Sequence, residues 1–331
     1  MPPFNNPSRG DVHVNRPLGN ISVAFAQEEE GFIADDAFPV VPVLKRSDRY
    51  FLYERGEFNR DEMTKRAPGT ESAGGTYNID NTPSYLCESF AFHRDIPDEI
   101  RDNADEPLNL DRDATEYLTT KFLIRKEKLW AATFFATTIW TNEDTGVSGT
   151  PSAGEFQRWD EAASTPIEDI RAARTSTKLS GGLRPNKLVV GAQTYDSLLD
   201  HPDIVGRLDR GQTSGPAIAN KDAMAAIFEL DQILIMDAIE NTALEGATES
   251  NAFIGGKHAL LLYAAPSPGI MTATAGYTFS WTGRFGASAL SSRIKRFRME
   301  HLESDRVEID AAFDHKLVSA DLGYFFLTAV N

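Results

Sequence analysis

The sequence predicts an α+β protein, and three stretches carry that prediction. Asp111–Trp140 runs for 30 residues without Gly or Pro. Its apolar residues recur at helical spacing: Tyr117/Leu118, Phe122, Leu129, Ala132/Phe135 and Ile139/Trp140. From Pro185 the texture changes to short apolar strands alternating with helices, the pattern of a sheet covered by helices. From Thr278 onward four strand-like segments follow one another: YTFSW, SRIKRFRME, DRVEIDAAFDHKLV and GYFFLTAV.

Taken in order, residues 1–36 read as an arm. Pro2, Pro3, Pro7, Pro17, Gly10 and Gly19 oppose regular structure, and only Ile21–Phe25 has the apolar content to pair or dock. Phe38–Val43 is apolar but broken by Pro39 and Pro42, which places it on a sheet edge or in an extended connector. Asp48–Glu54 and Tyr85–His93 read as two strands joined by the charged, Gly-rich segment Arg60–Thr76. A polar connection of that length inside a compact domain is uncommon and is usually functional or partner-bound, so a projecting hairpin is expected. Asp95–Asp113 carries eight carboxylates against Arg101 and Arg112. It has no calcium-loop spacing and reads as a solvated face or as a partner for basic residues.

The long stretch predicts a helix of about 45 Å, capped by Asp111 or Asp113, with Lys121, Arg125 and Lys128 along one side. Thr141–Gly154 reads as a turn-rich loop. Thr165-Pro166-Ile167-Glu168 has the form of a capping box with Pro at the first helical position, starting a helix over about 166–177. Lys187–Val190, Gln232–Met236 and His258–Ala264 are expected strands; Ala192–Leu199 and Lys221–Phe228 are expected helices. In SRIKRFRME the alternating Arg293, Lys295, Arg296 and Arg298 are suited to meet the acidic segment across a subunit boundary.

A net charge of −16 argues against broad electrostatic binding to nucleic acid. Cys87 is the only cysteine, so no intrachain disulfide framework or cysteine-based zinc site is expected. No apolar run reaches the ~20 residues that cross a bilayer, and the first residues lack the order of a secretion signal. The six histidines have no HxxxH or HExxH spacing; no GxSxG, GxGxxG or P-loop occurs. No catalytic, cofactor-binding or metal-binding residue is assigned, and an enzyme is not expected.

Several segments, in order, resemble the major capsid (coat) proteins of tailed bacteriophages with the Hong Kong 97 fold. They are Phe32-Ile33-Ala34-Asp35-Asp36-Ala37-Phe38-Pro39-Val40-Val41-Pro42-Val43 with Asp48-Arg49-Tyr50-Phe51, then Arg66-Ala67-Pro68-Gly69, then Arg112-Asp113-Ala114-Thr115 leading the long helix. Trp159-Asp160 with Thr165–Ile170, Ser280-Trp281-Thr282-Gly283 and Arg293–Arg298 complete the set. The resemblance implies an N-terminal arm (1–36), an extended β-hairpin loop with flanking strands (37–94), and a peripheral domain (95–184) with a spine helix at 111–140. It further implies an α/β axial domain (185–285) and C-terminal strands (286–331) returning to both domains.

The function it implies is self-assembly into hexamers and pentamers of an icosahedral shell enclosing double-stranded DNA, without sequence-specific binding. The implied setting is the virion capsid, with assembly in the host cytoplasm and no membrane. Only about 30 residues precede the Phe32 motif, so a separate scaffolding protein is expected beside a portal, with a decoration protein optional. The assembly contacts expected are Lys121, Arg125 and Lys128; Arg293, Arg296 and Arg298; Asp98, Glu99, Asp102, Asp105 and Glu106; and Lys65 and Arg66 on the loop. Lys65 lies where some members cross-link, but no matched Asn with a catalytic acid is recognisable, so cross-linking is not carried over. The alternatives are an encapsulin-type nanocompartment shell and a soluble acidic α/β hydrolase or binding protein.

Overall fold

The computed structural model describes residues 31–104, 108–209, 220–269, 271–285 and 292–331. Two sheets share one long helix. The first is built on β16 (Ser304–Leu317). β15 (Ser292–Met299) pairs antiparallel with its first part and β14 (Gly276–Trp281) with its last. On the other side of β16 lies β6 (Glu88–Pro97), antiparallel over ten residues. β1 (Val40–Val43) closes the sheet as a parallel neighbour of β14. Its Pro42 lies where the sequence places it, because an edge strand needs no N–H on its outer side.

The second sheet has the order β10-β9-β13-β17-β7-β8. Its strands are β10 (Gln232–Met236), β9 (Lys187–Gly191), β13 (Ala259–Leu262), β17 (Gly323–Leu327), β7 (Asn142–Val147) and β8 (Glu155–Gln157). Side chains alternate between two cores with the period of a strand. Leu188, Val190, Leu261 and Phe326 face α5 (Pro166–Gly181), α6 (Ala192–Leu199), α7 (Pro202–Asp209) and α8 (Lys221–Phe228). Val189, Leu260, Leu262 and Phe325 face the opposite side, where the end of α4 (Leu110–Phe134) and the short α1 (Ala34–Ala37) pack. The smaller pieces are β11 (Ile239–Asn241) with β12 (Asn251–Phe253), and α9 (Thr282–Phe285).

Several boundaries differ from the sequence reading. The spine helix ends at Phe134, not Trp140, so it spans 25 residues, or roughly 38 Å. The buried Trp140 turns back and its indole donates to Phe134 O at 2.8 Å. Thr138 sits at φ 65, outside the helical region. Asn109, rather than Asp111 or Asp113, caps the start by accepting from Arg112 N at 3.2 Å. Helix α5 begins at Pro166 as expected, but Thr165 makes no side-chain cap and Glu168 bonds Arg207 at 2.9 Å instead. It continues to Gly181 and stops at Gly182, whose φ of 82 suits glycine.

Thr141–Gly154, read as a turn-rich loop, contains β7, and β8 follows it; both belong to the second sheet, and α5 packs on that sheet too. β14 lies on the first sheet although the sequence boundary put it in the axial unit.

Candidate assembly surfaces

The loop after β1 is a two-step hairpin. β2 (Ser47–Arg49) pairs with β5 (Ser84–Leu86), and β3 (Leu52–Tyr53) pairs with β4 (Ile79–Asp80). The expected strand 85–93 is divided at Cys87: β5 belongs to the loop and β6 to the first sheet. Tyr85 stacks on Phe279 with centroids 4.5 Å apart, which roots the loop in the body. Beyond the one-turn helix α2 (Arg55–Phe58), residues 59–78 have no helix or strand, and Lys65 and Arg66 are exposed. Tyr53, Phe58 and Tyr77 form an aromatic cluster with centroids 5.6–6.1 Å apart. Phe51, Phe58, Met63, Tyr77 and Ile79 remain exposed. So many large apolar side chains on one projection are costly unless a partner covers them.

The basic strand finds acids within its own chain. In the β15–β16 hairpin Arg293 stands opposite Asp310, Lys295 opposite Glu308 and Arg298 opposite Asp305. Lys295 reaches Glu308 at 3.1 Å and also Asp310. On the other face Arg296 bonds Asp305 at 2.7 Å and Asp111 at 3.0 Å. Arg298 grips Asp98, the first residue of α3 (Asp98–Asp102), through both carboxylate oxygens at 2.5 Å. Arg101 bridges Asp305 and Asp111. Hydrogen bonds from Arg296 and Arg101 hold the Asp305 carboxyl at about 2. The acidic segment and the basic strand therefore meet as expected, but inside one subunit. The signal was available: a basic strand followed after a short turn by Asp305, Glu308 and Asp310 brings opposite charges into register when it folds back. Glu99 and Asp102 stay exposed on α3, while Asp105 and Glu106 lie outside the described residues.

On the spine helix, Leu110, Ala114, Leu118, Phe122, Lys126, Trp130 and Phe134 form a buried row spaced by four. Leu118 and Phe122 pack on Val307, Ile309 and Phe313 of β16. Tyr117 and Ala132, expected inside, face outward. Of the expected basic side, Lys128 bonds Glu240 at 2.6 Å, Lys121 lies 5.5 Å from the centroid of Tyr117, and Arg125 lies 5.3 Å from that of Phe90.

Two charges between them went unread. Lys126 and Glu127 are fully buried, and they anchor the Phe32–Val43 motif. Lys126 pairs with Asp35, and Glu127 Oε2 accepts from Ala34 N at 2.9 Å. Phe38 then packs edge-on against Phe134 at 4.6 Å. Burial pushes the Glu127 carboxyl up to about 7.

The remaining reactive residue types serve packing. Burial pushes the Cys87 thiol up to about 12, which leaves it inert at neutral pH. His315, driven down to about 3 by burial and then by Lys126, pairs with Thr278 Oγ1 at 3.0 Å. His201 bonds Ser164 at 2.9 Å, and His258 accepts from Thr328 N at 2.9 Å. Among the described residues no cluster of His, Cys, Asp and Glu has metal-holding geometry. None of their helices is long and apolar enough to cross a membrane.

The turn Ala34–Ala37 anchored on a spine helix, a projecting hairpin, and a sheet at each end of the helix define the Hong Kong 97-like fold; residues 1–30 of the expected arm lie outside the described residues. Solved structures share it. A phage-related protein from Bordetella bronchiseptica RB50 is 19% identical, covering 92% of this chain and 94% of its own, with a TM-score of 0.66. The capsid protein of cyanophage P-SCSP1u is 12% identical over 98% of this chain and 99% of its own, at 0.59. The SrpI encapsulin of Synechococcus elongatus PCC 7942 also shares the fold, at 0.58 and 10% identity, over 96% of this chain and 95% of its own.

The sequence adds specificity to the fold. A family model described as phage major capsid protein E matches residues 156–277. The major capsid protein of Pseudomonas phage JBD67 is 27% identical over 93% of this chain and 95% of its own length. That of Burkholderia phage BcepMu is 24% identical over 96% and 97%. The resemblance read from the sequence thus runs the length of the chain: it is similar to phage major capsid proteins in both sequence and fold.

Proposed function

We propose that this chain is the major capsid protein of a tailed phage, a subunit that assembles into hexamers and pentamers of an icosahedral shell around double-stranded DNA. The observation that carries this reading is the end-to-end likeness to two phage major capsid proteins. Its residues accord with the role. The projecting loop exposes apolar side chains that a neighbour can cover, and Arg296 and Arg298 pair with Asp305 and Asp98 inside the subunit. On this reading Glu99, Asp102, Lys65, Arg66, Lys121 and Arg125 remain available to neighbouring subunits, and the same is proposed of Asp105 and Glu106. The protein acts as a structural component of the virion. A separate scaffolding protein, a portal and packaged DNA are its proposed partners during assembly in the host cytoplasm.

The encapsulin reading rests on fold alone, at 10% identity. The content of purified particles separates the two. A shell filled with nuclease-protected double-stranded DNA supports the capsid reading, whereas DNA-free particles loaded with one protein cargo overturn it.

A further inference from the structure

The hairpin of β11 and β12 ends in a structured, acidic tip. Asn241 Oδ1 accepts from Ala243 N at 2.9 Å and from Ser250 N at 3.1 Å, and Thr242 N donates to Ser250 O at 2.9 Å, so the two arms are tied together. Ala247 N donates to Leu244 O at 3.0 Å across a turn in which Gly246 takes φ 84, a value that suits glycine. A lone exposed leucine is ordinary on a loop that has no fixed shape. Here Leu244, 85% exposed, is held on a fixed turn with the exposed Glu245 and Glu249 close by. Glu240, in the stem, pairs with Lys128, whereas among the described residues no cation pairs with Glu245 or Glu249.

At the base of the same hairpin lies a cavity of about 540 Å³ with the opposite character. Its walls include Ala252 and Phe253 of β12, Lys257 and His258 of the turn into β13, Gln193 at the start of α6, and Thr328. None of the residues lining it is a carboxylate, although the chain carries a net charge of −16. Lys257 has no carboxylate partner among the described residues. His258 accepts from Thr328 N through Nδ1, so its neutral ring carries the proton on Nε2 and offers a donor. Thr328 holds that position at φ 52, a left-handed conformation that a β-branched residue adopts only under strain.

We infer that the tip Leu244–Glu249 of one copy docks in this cavity of a second copy. The chemistry matches group by group: Leu244 suits Ala252 and Phe253, while Glu245 and Glu249 suit Lys257, the His258 N–H and the Gln193 amide. A copy cannot fill its own cavity. Leu244 lies three residues beyond Asn241, the end of β11, so the ladder holds it roughly 10 Å past a cavity walled by the ladder's own strand. The contact therefore joins unlike surfaces, head to tail, and it closes into a ring when the rotation between copies divides a full turn. Pentamers and hexamers are rings of this kind, so the inference rests on the shell reading and supplies a contact within its rings. Duplex DNA would be repelled by Glu245 and Glu249 in the same hairpin, which is why an acidic peptide is the favoured occupant.

Disulfide trapping in purified particles of the full-length chain tests it, since the native Cys87 is buried. L244C with Q193C puts one thiol on the tip and the other in the cavity; E245C with A252C is the second pair, should L244C disturb the turn. Each single variant has one accessible thiol and forms nothing beyond a covalent dimer. Each pair should instead give a ladder on a non-reducing gel that ends at rings of five and six. K257E should lower the yield of particles about tenfold or more, and adding E245K with E249K to the same chain should restore it. Particles that form normally from both pairs yet give no species beyond the dimer overturn the inference and leave the shell reading intact. So does a K257E chain that assembles at the wild-type yield, whether its particles keep their DNA or lose it. A wild-type chain that forms no ring or shell overturns the shell reading itself, and this inference with it.

Discussion

Lys126 and Glu127 sit in the run Arg125-Lys126-Glu127-Lys128, where sequence alone cannot tell a buried charge from a solvated one. Helical spacing places Lys126 in the buried row, but a lysine there reads as surface until its partner is known. That partner is Asp35, 91 residues away in sequence. The Phe32–Val43 motif was legible as a family mark; its mechanical role was not, because it depends on contacts with the spine helix. Glu127 gives this anchor a pH dependence. Its carboxyl titrates at about 7 in the folded chain against 4.5 for a free one, so the native state holds its proton more tightly between those values. Stability should therefore fall as pH rises from 4.5 to 7 and level off above. The loss attributable to Glu127 is up to about 3 kcal/mol. Urea denaturation of wild type and E127Q at pH 5 and pH 8 checks this. The variant should lose less stability across that interval than wild type; an equal loss would show that Glu127 is not the group responsible.

Elements with strong periodicity were read correctly from the sequence: α5, α6, α8, β9, β10, β13 and the C-terminal strands. The failures have physical causes. β7, with the sequence NEDTGV, carries no apolar alternation and is a strand because β17 templates it in parallel register. The end of α4 was overread because Ala136–Trp140 lacks a helix breaker. It stops there because Trp140 must reach the core beside Gly323. A Cβ on Gly323 would lie 2.1 Å from the Trp140 ring, so G323A must displace a buried tryptophan from beneath β17. G323A should cost about 3 kcal/mol or more. Thermal unfolding would reveal it, and a wild-type melting temperature would show that the ring moves freely. The extended loop makes the opposite prediction. Replacing residues 59–78 with a short Gly-Ser linker should leave the melting temperature within a few degrees, since these residues bury little in the subunit. The same change should abolish shell formation, read by sedimentation; normal shells would remove the loop from the assembly contacts.

At the scale of the whole molecule, the charge pattern divides the labour. Arg296, Arg298 and Arg101 connect the first sheet to α3 and to the start of α4, so these charges are satisfied within the subunit. The aromatic and apolar side chains of the loop stay exposed within the subunit, where the proposed assembly would cover them. The fold class, the order of segments and the capsid resemblance were all legible in the sequence, because each rests on local pattern. Which charges serve the subunit was not, because that depends on the register of β15 and β16. Electron microscopy of the purified full-length chain tests the central claim most directly. Closed icosahedral shells of megadalton mass, built of hexamers and pentamers, are the predicted result. A preparation containing only monomers or small oligomers, with the loop intact and the protein folded, would contradict it.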